Sequence, residues 1–170
     1  MATRICVPNI LPLEKDVIKV RIPSATTLYQ GSLVVAESLE GTSRSVYTGS
    51  LVTDITKDTP AIVINQGVYE DANGVRVEGY VNPGDMSYQA GDVVTAVRPE
   101  KNLIFTMSAD CYTGTAVKDQ YIIPAVGVEK PAVSATIGTA VLAYKVEQLV
   151  NIPVGNTFVS GVLVRLVLGA

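Results

Sequence analysis

The chain has 170 residues, 48% of them hydrophobic and only 17% charged, with a formal net charge of −3 and no histidine. That length suits one domain, with or without an extended arm, and requires neither disulfide nor metal to fold. The acidic balance, with 13 basic residues scattered singly, excludes generic phosphate-backbone binding, and the missing histidines exclude Ser-His-Asp and Cys-His nucleophile activation.

Residues 1–15 hold Ile5, Val7, Ile10, Leu11 and Leu13, interrupted by Pro8 and Pro12. Proline favours extended backbone and removes a donor. The segment therefore reads as an arm lying across a partner surface, or as a first edge strand. As an arm it would be removable without loss of the fold.

Residues 16–22 alternate, with Ile18, Val20 and Ile22 on one face and Val17, Lys19 and Arg21 on the other. Period two marks a half-buried strand, and Pro23 stops it. Runs rich in Val, Ile, Thr and Tyr place further strands at 32–38, 45–54, 61–66, 68–70, 75–81, 92–98, 103–107, 140–150 and 161–168. Residues 140–150 are also the best helical candidate, but β-branched neighbours and Pro153 suit a strand equally. Asn73-Gly74 predicts a type I′ hairpin turn, and residues 82–85 and 89–92 are further turns. Residues 114–138, with Pro124 and Pro131, predict a long excursion between sheets. Gly-Ser-Leu-Val occurs at 31–34 and again at 49–52, which suggests stacked hairpins. The expected fold is all-β, a small sandwich or barrel over residues 16–170 with residues 1–15 as an extended N-terminal arm.

The remaining chemistry is thin. Glu70-Asp71 flank the hairpin turn, where carboxylates are solvated and poorly suited to paired acid and base roles. Asp71-Ala-Asn73-Gly74 with Glu78 is an incomplete calcium loop, because Glu78 comes too early for the twelfth-position ligand. Cys6 and Cys111 match no metal spacing, and read as two thiols or one disulfide. Cys111, in Asp110-Cys111-Tyr112, lacks an evident basic neighbour and would stay protonated at neutral pH. No Walker or G-x-G-x-x-G loop occurs. The tyrosines, Tyr80 and Tyr88 among them, suit packing better than base stacking. Arg165 interrupts the last apolar strand, either as an outward position or as an arginine paired with a carboxylate. No apolar run approaches the roughly 20 residues of a membrane helix, and residues 1–16 lack a signal-peptide core.

Short turn-rich strands, an apolar start and low charge together resemble the head decoration, or cement, proteins of tailed bacteriophages. The stretches that carry the likeness are Gln89-Ala-Gly-Asp-Val-Val94, Phe105-Thr-Met-Ser-Ala-Asp-Cys-Tyr-Thr-Gly114, Val141-Leu-Ala-Tyr-Lys-Val-Glu147 and Val164-Arg-Leu-Val-Leu168. The resemblance implies a virion protein on the outer capsid surface, made in the host cytoplasm. It would bind the major capsid protein between capsomers and associate with itself, as a trimer by preference. It implies no enzyme activity, cofactor, metal, nucleic acid or membrane partner. Ile5, Val7, Ile10, Leu11 and Leu13 would then form the capsid-binding arm. Two other classes fit the same composition. One is a self-assembling tail-tube or fibre-base protein, which would form rings or tubes unaided. The other is a carbohydrate-binding β-sandwich, disfavoured by the absence of tryptophan.

Overall fold

The computed structural model describes residues 3–9, 16–42, 45–64, 68–78 and 86–168, leaving aside the side chains of 68–70 and 76–78. The first eight strands are β1 (Cys6–Pro8), β2 (Val17–Arg21), β3 (Leu28–Tyr29), β4 (Leu33–Leu39), β5 (Val46–Ser50), β6 (Ala61–Val63), β7 (Val68–Glu70) and β8 (Arg76–Glu78). They are followed by β9 (Ser87–Tyr88), β10 (Val93–Val97), β11 (Ile104–Ser108), β12 (Tyr121–Ile123), β13 (Ala132–Ser134), β14 (Leu142–Val154) and β15 (Thr157–Leu168). The protein is all-β, as expected. Ile10, Leu11 and Leu13, Tyr80, the turn at 82–85 and the strand ends at 65–66 and 79–81 lie outside the described residues.

Five strands, in the order β2-β5-β4-β6-β10, close through a β2–β10 pairing into a barrel. Its β2–β5 pair is parallel and the others are antiparallel. The β7–β8 hairpin attaches to β10 opposite Val93. A second, antiparallel sheet runs β1-β11-β15-β14-β12-β13, and β3 pairs with β9.

Side-chain alternation explains why there are two cores. In β2, Ile18 and Val20, with Ile22 just beyond, point into the barrel, while Lys19 is exposed. In and just after β6 both faces are apolar. Ala61 and Val63 fill the barrel, and Ile62 and Ile64 join a second cluster beneath the six-stranded sheet. β4 divides the same way between Val34 and Leu33, and β10 between Val94 and Val97. One barrel wall is thus also the floor of the second core. Strands covered on both faces read as unbroken apolar runs, which accounts for Ala61-Ile-Val-Ile64. Across from that wall the sheet contributes Phe105, Met107, Leu142, Tyr144, Val146, Val162, Val164 and Leu166. The rings of Phe105 and Tyr144 meet edge-on with centroids 6.1 Å apart, a favoured aromatic geometry.

Three expectations are corrected, and one open choice is decided. The excursion at 114–138 builds β12 and β13, which extend the sheet beyond β14. Each is only three residues long, too short to show periodicity. The strand placed at 140–150 is borne out over its helical alternative, as β14 running from Leu142 to Val154. The Asn73-Gly74 turn is not type I′, because Gly74 alone has positive φ (80°). Gly74 N–H donates to Asp71 O, and the Asp71 carboxylate accepts from the amides of Asn73 and Val75. This is a three-residue loop, a type I turn followed by a left-handed glycine, selected by the Asp71 side chain. The two Gly-Ser-Leu-Val segments lead into and out of one β4–β5 pair, with Val35 opposite Ser50, and are not stacked hairpins.

Candidate functional site

The groups with chemical potential are engaged in structure. The Asp58 carboxylate accepts from the amides of Thr53 (2.7 Å) and Asp54 (2.9 Å), and these bonds hold it below the usual carboxylate range. Asp54 is lowered chiefly by its bonds to Thr56, then by Lys57. Carboxylates stabilised as anions by local donors make weak general bases. Cys6 and Cys111 are free and buried. Burial pushes the Cys111 thiol up to about 11 and raises Cys6 well above the ordinary thiol value, opposite to what a nucleophilic cysteine needs. Arg165 is half exposed, with its Nε 3.0 Å from Glu147 Oε1, an outward position that also has a carboxylate partner. Tyr88 packs in the barrel core. Among the described residues no group of three or more His, Cys, Asp or Glu could hold a metal ion.

Of the five apolar residues expected in the arm, Ile5 and Val7 are described. Ile5 is half-buried and Val7 is exposed on β1, an edge strand paired with β11. Between them Cys6 is 1% exposed and belongs to the second core. Arg4 makes a bidentate bond to Glu129 (2.8 and 2.9 Å) and stacks over the Tyr29 ring, while Ser32 Oγ–H also donates to Glu129. Residues 3–9 are therefore packed into the fold as an edge strand, one of the two readings that the sequence allowed for this stretch.

The edges of the sheet are blunted. Ile5 O accepts from Ser108 and Asn9 N–H donates to Ile104 O, so odd-numbered residues of β1 face β11. The outward pair is Cys6, whose N–H donates to Gln30 Oε1 (2.9 Å), and Pro8, which has no N–H. At the far edge Thr113 bonds to both Pro131 and Val133 beside β13. Covered and proline-bearing edges resist pairing with another chain.

The β14–β15 hairpin is different. Its strands pair from Leu142↔Leu168 to Val154↔Thr157. β11 accompanies β15 only up to Gly161, and β12 pairs with β14 only at Tyr144 and Lys145. Among the described residues nothing extends the sheet beside 148–160, so these form a projecting two-stranded ribbon. Its loop is Gly155-Asn156, with positive φ (57°) at Gly155 alone, the pattern of a type II′ turn. In a two-residue hairpin the closing pair, Val154↔Thr157, is the hydrogen-bonded one, so Pro153 opposite Phe158 costs no ladder bond. A bulge between Val146 and Gln148 shifts the register at the ribbon's root.

Beyond that bulge, Leu149, Asn151 and Pro153 lie opposite Val162, Ser160 and Phe158. Opposed residues share a face, and Val162 is in the core. The ribbon therefore carries the sheet's core-facing side out into solvent, with Leu149 56% and Phe158 72% exposed. Beneath it lies a cleft of about 450 Å³ lined by Leu149, Asn151 and Ser160 on the ribbon and by Tyr112, Thr115 and Ala116 on the body. From Gln148 to Val164 the sequence has no charged residue. The sequence signal for this surface is Gly155-Asn156 between alternating apolar runs, together with that uncharged stretch; Pro153 masks it by suggesting a strand end. Neither a protein-family model, nor a curated protein, nor a solved structure matches the chain.

Proposed function

We propose that this chain is a non-enzymatic structural protein that works by docking onto other protein surfaces and that, within this class, it decorates and stabilises the capsid of a tailed bacteriophage. The observation that carries the docking reading is the projecting ribbon, with exposed Leu149 and Phe158 on a stretch without charge. Isolated hairpins are marginal in water, and exposed uncharged strands invite pairing. Such a surface is retained at lower cost when a partner covers it. The capsid as partner is supported by the family resemblance of the sequence. Many copies on a symmetric lattice gain avidity from individually weak contacts.

The test is co-sedimentation with empty tailed-phage heads. The full chain is expected to pellet with the shells. A variant with residues 151–160 replaced by an Asn-Gly turn should keep its β-rich circular dichroism and stay in the supernatant. Failure of the full chain to pellet removes the capsid reading. The same ribbon also favours a second reading, a self-polymerising tail-tube or fibre-base protein, because nothing on it repels another copy. Rings or tubes formed by the purified chain alone, seen by electron microscopy, would decide for that alternative.

A further inference from the structure

We infer that the cleft beneath the ribbon is filled by the hairpin of a second copy of this chain, each copy presenting Phe158 to the other's cleft. The inference rests on the docking reading above and names the partner for this surface.

The first argument is electrostatic. A contact between copies brings like against like, so any charge near the two-fold axis meets itself and repels. Natural edges use that repulsion, placing Lys or other charges to keep copies apart. The ribbon has none from Gln148 to Val164, although the chain as a whole carries a net charge of −3. The cleft wall at Ala109, Tyr112 and 114–116 is uncharged as well.

The second argument is geometric. Phe158 and Ser160 lie on one face of β15, about 7 Å apart along the strand, and Ser160 lines the cleft. A projecting ring thus sits beside a hollow on the same ribbon. Rotation by two-fold symmetry brings each ring over the other copy's hollow and satisfies both contacts at once. The cleft offers Tyr112, Ala116 and Leu149 as apolar walls. In the isolated chain Phe158 remains 72% exposed beside that hollow. The ribbon spans only residues 148–160, fewer than the roughly 20–30 residues a side of a standard interface. The contact is therefore weak and concentration-dependent.

Light scattering on the purified full chain over a concentration series tests it. The mass should rise from one to two times the 18.0 kDa chain mass. F158D and T115R should each hold it at one chain mass with an unchanged circular dichroism spectrum. Mixing F158R with T115D should restore the doubled mass that neither shows alone, since the arginine introduced in one copy then meets the aspartate introduced in the other. A wild type that stays monomeric, a trimer, or a dimer insensitive to both single variants overturns the inference. Shell binding retained by monomeric F158D leaves the proposed function standing. Loss of shell binding by a dimeric wild type removes that function and not the pairing.

Discussion

A Cβ added to Gly161 would lie 2.5 Å from Ile152 Cδ1 and 2.5 Å from the Met107 carbonyl oxygen. Gly161 marks the point where β11 leaves β15 and the ribbon begins. The isoleucine tip can turn aside, but the carbonyl is fixed in the sheet. Gly161→Ala should therefore destabilise the fold by about 1–3 kcal/mol, read as a lower urea midpoint with unchanged slope. Adding Ile152→Val should recover only part of the loss. Full recovery would show that the backbone contact is unimportant.

The Cys111 thiol sits against Gly31, near Ser108 and the Ile5 carbonyl. Burial is the main cause that pushes it up to about 11. The fold thus prefers the neutral thiol, and the unfolded chain ionises first. This contribution is complete below the ordinary thiol range near 9 and is lost as pH rises from there through about 11. Urea midpoints should fall over that window, and Cys111→Ser should fall less steeply. Both cysteines should resist thiol reagents at pH 8 until the protein is unfolded. Rapid labelling of the native protein would contradict the burial.

The Tyr144 hydroxyl is buried with no hydrogen-bond partner among the described residues. Burial raises its pKa, and the neighbouring Cys6 adds to the effect. A buried hydroxyl without a partner costs about 1–3 kcal/mol. Tyr144→Phe should keep the edge-on contact with Phe105 and leave the melting temperature unchanged or raised. A clear drop would reveal a partner for the hydroxyl.

Arg4 and Glu129 are only 12% and 19% exposed in their side chains. A double-mutant cycle on this pair should give a coupling above the roughly 0.2–1 kcal/mol typical of exposed ion pairs. Deleting residues 1–9 also removes Cys6 from the core and leaves Gln30 Oε1 without its donor. The truncated protein should melt at lower temperature. An unchanged melting temperature would make residues 3–9 a peripheral addition.

Legibility in the sequence followed burial pattern and length. The alternation at 16–22 was readable because β2 is buried on one face, and 61–64 because β6 is buried on both. The three-residue β12 and β13 carry too few residues for either signature, and their flanking prolines suggest a loop. At Asn73-Gly74 the dipeptide announced a hairpin, but the Asp71 carboxylate decided the turn type by capping two amides. In the ribbon the difficulty was Pro153. A proline usually ends a strand, and its harmless placement depends on pairing with Phe158, which only the hairpin register reveals. Sparse charge in the composition gave no position along the chain; the exposed apolar residues of the C-terminal hairpin supply one.

The wall shared by β4, β6 and β10 bears on how the protein comes apart. Opening the barrel removes the floor from beneath Phe105, Tyr144 and Val164, and lifting the sheet strips cover from Leu33, Ile62 and Val97. Neither core can melt while the other remains intact, because the same three backbones serve both. Barrel and sheet should therefore unfold together in a single transition, with the ribbon beyond Gly161 free to fray first.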